Sequence, residues 1–348
     1  MDPETVRGLR ARGGADGAID ADGRVPHGSS DDPAVLDFSA NTNPETPPDV
    51  AAVFADALDR ARTYPNDGYP DFRAAAAAFV DCEPGQVVPT AGGLEAIRLA
   101  IQTTVRAGDS VLLPRPSFGE YAREVRLQGA EPAFVAHDDL LDAEPGPHAL
   151  AVVCTPNNPT GETADPDALR AFADRCRAAG TTLLADEAFL GFTDEPSLAG
   201  RPGVVVARSL TKLFGLPGVR MGYAVGTGDH LARLRTARRA WSMSTAAAVV
   251  GAHCYRQSAF VDRTRERVDS ERERMRERLR SRFDVFPSDA PFLLLSVSDT
   301  DVDALLTEAG EAGIAVRDAR TFRGLDSHVR VAVRTPTDND TLLEALGV

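Results

Sequence analysis

The sequence predicts an α/β protein: a largely parallel sheet covered on both faces, followed by a compact α+β domain. Three observations carry that prediction. From Gln86 onwards short apolar runs alternate with helical stretches, the pattern of strands buried on both faces and joined by helices. Past about Ala237 the pattern changes to a long Arg/Glu-rich stretch and then mixed strands and helices. The 348 residues, 43% of them hydrophobic, suffice for a large core and two domains.

Taken in order, residues 1–36 are rich in Gly, Asp and Ser and read as an arm or loop. Asp37 to Pro48, D-F-S-A-N-T-N-P-E-T-P-P, is turn-rich, because each Pro forbids helix. Residues 1–48 therefore form an arm and covering segment. A helix is expected over Val50–Arg62, then T-Y-P-N-D-G-Y-P. Strands follow at Ser110–Leu113, Pro132–Ala136, Ala149–Cys154, Thr181–Ala185, Gly203–Ala207 and Arg220–Val225, with helices such as Leu94–Arg106 and Pro166–Ala179 between them. This makes 49–236 the large domain.

Val261, Val268, Met275 and Leu279 share one face of a long charged helix, Val261–Phe283. A strand (Phe292–Val297), a helix (Val302–Ala312), strands at Ile314–Arg317 and Val329–Val333, and a helix (Asp340–Leu346) complete a domain over 237–348.

Lys and Arg total 38 against 52 Asp and Glu, a net charge of −14 that argues against nucleic acid and anionic membranes. Acidic residues, Arg in place of Lys, and many small Ala and Gly suggest the salt-rich cytoplasm of a halophile. No run of ~18 apolar residues predicts a membrane span, and M-D-P-E-T-V-R-G-L-R lacks an apolar signal core, so a cytoplasmic location is expected. Cys82, Cys154, Cys176 and Cys254 form no C-x-x-C pair and read as reduced, with no metal site. No G-x-x-x-x-G-K-[ST] occurs, and Gly226-Thr227-Gly228 does not open a G-x-G-x-x-G, so nucleotide binding is not expected.

The chemistry concentrates in R-S-L-T-K-L-F-G-L-P-G-V-R-M-G-Y-A-V-G, residues 208–226. A lysine amine condenses with an aldehyde, and hydroxyls with a guanidinium suit a phosphate dianion. Lys212, Ser209, Thr211 and Arg220 supply that set, and pyridoxal 5'-phosphate (PLP) carries both groups. A lone lysine would otherwise read as surface charge beside a helix cap. Thr90-Ala91-Gly92-Gly93-Leu94 opens a helix after a short strand, so the amides of Gly93 and Leu94 form a phosphate cup. The glycine pair alone reads as a tight turn. Asp186 ends a strand, where a carboxylate either caps a helix or keeps a pyridine nitrogen protonated.

With Asn41 in S-A-N-T-N-P, Asn158 in P-N-N-P-T-G and Asp186 in A-D-E-A-F, these motifs resemble fold-type I PLP-dependent enzymes. The branch is the one holding histidinol-phosphate aminotransferases and the threonine-phosphate decarboxylases of cobalamin synthesis. The resemblance runs from about Asp37 to the C-terminus. It implies an aspartate aminotransferase-like fold with a mostly parallel seven-stranded sheet, PLP linked to Lys212, and Asp186 on the ring nitrogen. It also implies Asn158 on the ring hydroxyl, Phe118 stacked on the ring, and Ser209, Arg220, Gly93 and Leu94 on the phosphate. Tyr64 would reach the cofactor of a second subunit in a homodimer; otherwise it packs at an interface.

By the same resemblance Asn41, Arg317 and Arg330 contact a small phosphorylated amino-acid substrate. Strand alternation adds Arg334 to the face of Arg330. His27-Gly28 resembles the His-Gly-Gly of the decarboxylases, or is a solvated loop; the other glycine pair, Gly13-Gly14, follows an arginine. Relatives acting on histidinol phosphate carry Tyr where this chain has Phe189, and a small residue where it has Arg334. The resemblance thus tilts to decarboxylation of threonine phosphate, with an aminotransferase as the alternative. A PLP-sensing module of a transcription regulator would need a DNA-binding domain that the short acidic N-terminus leaves no room for.

Overall fold

The computed structural model describes residues 23–297 and 301–348. Residues 1–22 of the arm, with Gly13-Gly14, lie outside the described residues. In chain order the elements are β1 (Leu36–Asp37), α1 (Val50–Arg60), α2 (Pro70–Phe79), β2 (Val87–Thr90), α3 (Gly93–Thr104), β3 (Ser110–Arg115), α4 (Glu120–Leu127), β4 (Glu131–Ala136), β5 (Leu150–Cys154), α5 (Pro166–Ala179), β6 (Thr182–Asp186), β7 (Val204–Ser209) and β8 (Gly222–Val225). Then come α6 (Gly228–Ala237), α7 (Thr245–Tyr255), α8 (Ser258–Leu279), β9 (Asp284–Val285), β10 (Phe292–Ser296), α9 (Val302–Glu311), β11 (Ile314–Ala315), β12 (Arg317–Asp318), β13 (His328–Ala332) and α10 (Pro336–Ala345).

The large sheet has seven strands in the order β2-β8-β7-β6-β5-β3-β4. Only β8 runs against its neighbours, and the other pairings are parallel. Every residue of β5 and β6 is buried, as strands covered on both faces must be. Their side chains divide by period two: Leu150, Val152, Cys154, Leu184, Val205 and Ala207 pack with α3 and α4, while Ala151, Val153, Leu183, Ala185, Val204 and Val206 enter the core on the other face.

Parallel strands leave their carboxyl ends, and the loops that follow, on one edge. That edge gathers the Asn158 loop after β5, Asp186 at the end of β6 and the Lys212 turn after β7. A close backbone approach is there too. A Cβ on Gly222 would lie 2.5 Å from the carbonyl carbon of Gly92 and 2.7 Å from the nitrogen of Gly93, so glycine at the start of β8 admits the turn that opens α3.

A second sheet, β12-β13-β10-β9, is antiparallel throughout. The long helix buries Val261, Val268, Met275 and Leu279 as its periodicity predicted, and α7 packs on α1 and α2. Two features depart from the sequence expectation. The strand expected over Ile314–Arg317 divides: β11 pairs in parallel with β1, and β12 joins β13. The covering segment, expected as turns alone, therefore contributes a short strand. It is fastened there by Leu36 N–H to the Gly313 carbonyl (2.9 Å), Phe38 N–H to that of Ala315 (2.8 Å), and Ala332 N–H to that of Phe38 (2.9 Å). Its two-residue length lies below anything that alternation in a sequence can signal.

Candidate active site

A cavity of about 370 Å³ opens at the carboxyl edge of the large sheet, between it and β12–β13. Asn41, Gly93, Leu94, Phe118, Asn158, Asp186, Ser209, Lys212, Arg220, Arg317, Arg330 and His27 all line it. Residues separated by up to three hundred positions meet because each follows a strand end or belongs to a strand facing that edge.

Alternation at the ends of β6 and β7 decides what faces the cavity. Asp186 shares the face of Leu184, and Ser209 that of Ala207, so both point to the cavity side. Glu187 and Arg208 point the other way and form a buried ion pair, Arg208 Nε to Glu187 Oε2 at 2.8 Å. The remaining acceptor capacity of Glu187 is taken by the Ser197 hydroxyl (2.6 Å) and the Leu198 N–H (2.8 Å). A charge buried and satisfied in this way cannot serve a ligand, which leaves Asp186 as the carboxylate of the site.

Asp186 is itself buried and held at both oxygens: Ala188 N–H donates to Oδ1 (3.0 Å) and the Tyr121 hydroxyl to Oδ2 (2.5 Å). Burial pushes its carboxyl up from the ordinary value, and these two donors pull it back. Lys212, in the turn after β7, is pulled down to about 8 by burial and then by the charges of Arg330 and Arg220, against Asp186 and Asp37. A lysine so placed is partly neutral near neutral pH, the form that attacks an aldehyde.

At the other end of the cavity Gly93 and Leu94 open α3, whose first-turn N–H groups have no intrahelical acceptor. The Ser209 and Thr211 hydroxyls bond each other at 2.8 Å. Arg220 reaches across with left-handed backbone, φ 58°, bonding the carbonyls of Pro217 (3.1 Å) and Ala91 (3.2 Å). These donors, from a helix start and the turn after β7, suit a dianion.

The opposite wall is cationic. Arg317 and Arg330 face each other across β12 and β13 and are both buried. Arg330 donates to Asn158 Oδ1 and to the Ser39 carbonyl (2.9 Å), and lies 5.0 Å from the Phe292 ring centre. Burial, then the charge of Arg317, holds its guanidinium below its usual value. Arg317 donates to the Pro26 carbonyl (2.5 Å) and the Thr321 hydroxyl (2.8 Å). A Cβ on Gly28, whose φ is 73°, would collide with the Arg317 guanidinium, so the His27-Gly28 turn is pressed onto that arginine. Asn41 is buried with its Oδ1 unpartnered, an acceptor left for a ligand.

Two expected residues do not join the cavity. Arg334 bonds Asp338 (3.1 Å) and the Asp37 carbonyl (3.2 Å) and stacks on Phe38. Strand β13 ends at Ala332, so the alternation that placed Arg334 beside Arg330 stops short of it. Tyr64 is 79% exposed and stacks on Trp241, with ring centres 4.5 Å apart, away from this chain's cavity. Sequence reasoning passed over Tyr121 and Ser39, although the first lies in the same P-S-F-G-E-Y stretch as Phe118, at the start of the helix that follows it.

Residues 33–346 match the family Aminotransferase class I and II. The threonine-phosphate decarboxylase of Salmonella typhimurium is 33% identical over 337 residues, covering 90% of each chain. The chain belongs to the class I and II aminotransferase family. A further relative in it, histidinol-phosphate aminotransferase 1 of Archaeoglobus fulgidus, is 28% identical over 319 residues, covering 90% of this chain and 98% of its own. The solved L-threonine-O-3-phosphate decarboxylase of Porphyromonas gingivalis superposes with a TM-score of 0.82 at 24% identity, over 90% of this chain and 98% of that one, a likeness of fold.

Enzymes of the class I and II aminotransferase family depend on PLP, and the residues fit it. An amine, a buried carboxylate and a phosphate cup line one cavity, with Phe118 on its wall. No helix among the described residues is long and apolar enough to cross a membrane.

The Glu187–Arg208 pair generates a stability prediction. Glu187→Gln leaves a buried guanidinium without its countercharge, so it should cost about 3–5 kcal/mol. Chemical denaturation of both proteins in the same buffer checks it, and a loss under ~1 kcal/mol would mean the pair does not hold the two strand ends.

Proposed function

We propose that the enzyme decarboxylates L-threonine O-3-phosphate to (R)-1-amino-2-propanol phosphate, a step of cobalamin biosynthesis. The observation that carries this reading is the contact of the His27-Gly28 turn with Arg317 in the cavity wall. A second anion site stands there, apart from the cup at Gly93, and it suits a phosphate on a short side chain. The 33% identity to a threonine-phosphate decarboxylase supports it, as does Phe189, which presents an apolar ring to the cavity. The relatives named histidinol-phosphate aminotransferases support the alternative, transamination.

When bound, PLP withdraws electrons from the substrate's α-carbon. The chain's own residues decide which bond they come from. Arg317, with His27 and Gly28, takes the phosphate, and Arg330 with Asn41 orients the rest of the substrate. Held this way, the substrate's carboxylate would be the group released as CO₂. Lys212 in its ammonium form, available because its value lies near 8, delivers the replacing proton to Cα.

We also propose a homodimer whose second copy covers the exposed Tyr64–Trp241 stack and the exposed Phe54 and Leu58 of α1. The acidic composition further suggests a salt-rich cytoplasm. Sedimentation and thermal melting across a KCl series check both. Twice the chain mass and a midpoint rising with salt are expected, since screening relieves self-repulsion; a monomer, or a midpoint highest in dilute buffer, contradicts the respective proposal.

The reaction is tested with carboxyl-labelled threonine phosphate, following label released as CO₂ beside amino transfer to 2-oxoglutarate. Label release with poor amino transfer is expected. Arg330→Ala should lower kcat/KM by tens-fold or more, since removing a buried charged contact costs about 2–5 kcal/mol. Rapid amino transfer from histidinol phosphate with no label released would leave the aminotransferase standing.

A further inference from the structure

Beneath the cavity, Tyr121 is fully buried and its hydroxyl lies 2.5 Å from Asp186 Oδ2. A buried phenol needs an acceptor, and a carboxylate is among the strongest available. The surroundings make this contact specific. Cys154 adjoins the pair: its thiol donates to the Pro156 carbonyl at 3.3 Å and meets the Tyr121 hydroxyl rather than Asp186. Glu187 is turned to the opposite face and neutralised by Arg208. Lys212 stands across the cavity and belongs to the aldehyde end of the cofactor. Among the described residues, Tyr121 is thus the side chain that donates to Asp186, and the Ala188 N–H holds the other oxygen. The phenol ring is itself clamped edge-on against Phe118, 5.6 Å between centres at 86°. The loop before α4 therefore carries the ring expected to stack on the cofactor, and the first turn of α4 the donor that fixes its carboxylate.

We propose that Tyr121 is a positioning residue for Asp186: its hydroxyl holds the carboxylate ionised and aimed at the cavity, and so keeps the ring nitrogen of bound PLP protonated. A donor to a carboxylate favours the charged form. Without it Asp186 becomes the more basic partner and takes the proton it shares with the ring nitrogen, leaving that nitrogen neutral. The inference rests on the cofactor and is indifferent to whether the reaction is decarboxylation or transamination.

The test is nitrogen-15 NMR of the full-length holoenzyme carrying PLP labelled at the ring nitrogen, titrated with pH. In Tyr121→Phe the ratio of protonated to neutral ring nitrogen on the acid side of the titration should fall about tenfold or more, and PLP should bind about tenfold more weakly or worse. Val125→Ala, a packing change one turn along the same buried face, should leave that ratio in place. An unchanged ratio in Tyr121→Phe, or an equal fall in Val125→Ala, overturns the proposal and leaves Tyr121 as core packing. Should Tyr121→Phe fail to fold, difluorotyrosine at position 121 keeps the shape and strengthens the donor. The ratio should then rise, and no movement would equally overturn the assignment.

Discussion

At the adjacent ends of β6 and β7, side-chain alternation sorts four polar residues into two environments. Asp186 and Ser209 go to the cavity, and Glu187 and Arg208 to a buried ion pair on the other face. The period of two leaves no other arrangement while both faces of the sheet are covered. Every functional distance follows from this. The Asp186 carboxylate and the Ser209 hydroxyl stand on neighbouring strands, and the Lys212 turn after β7 reaches the same cavity. The buried pair costs desolvation, which its charge contact and the two hydrogen bonds that Glu187 accepts from Ser197 and Leu198 offset.

The cavity inverts the charge of the molecule. A chain with a net charge of −14 places Lys212, Arg220, Arg317 and Arg330 around one carboxylate. Burial, and then the charges of Arg330 and Arg220, bring Lys212 into the range where its amine reacts. The same crowding makes the wall receptive to anions, because a buried guanidinium gains most from a ligand that neutralises it. The N-terminal segment closes this wall, tied to β11 through β1, to the end of β13 through the Phe38 carbonyl, and to Arg317 through Pro26.

Most of the site was legible in the sequence because catalytic groups on parallel strands follow predictable ends. Asn158, Asp186 and Lys212 each come just after an apolar run, and their chemistry differs enough from a strand's to be seen. Glycine pairs before a helix were equally visible. What escaped was set by three-dimensional register. Tyr121 is an ordinary core aromatic until its hydroxyl meets a carboxylate sixty-five positions away. Arg334 looked equivalent to Arg330 until the strand ended before it. Likewise β1 and β11 hold two residues each, too few for any pattern, and their pairing links the two ends of the chain.

The central claim is that this cavity holds PLP through the amine of Lys212. Its most direct test mixes apoprotein with PLP over a range of pH, reduces with borohydride and maps the modified peptide. The cofactor should be fixed to Lys212, with an initial rate that rises with pH about a midpoint near 8 as the amine sheds its proton. Cofactor fixed to another residue, or a Lys212 rate still climbing toward the ordinary lysine value near ~10.4, would contradict the account.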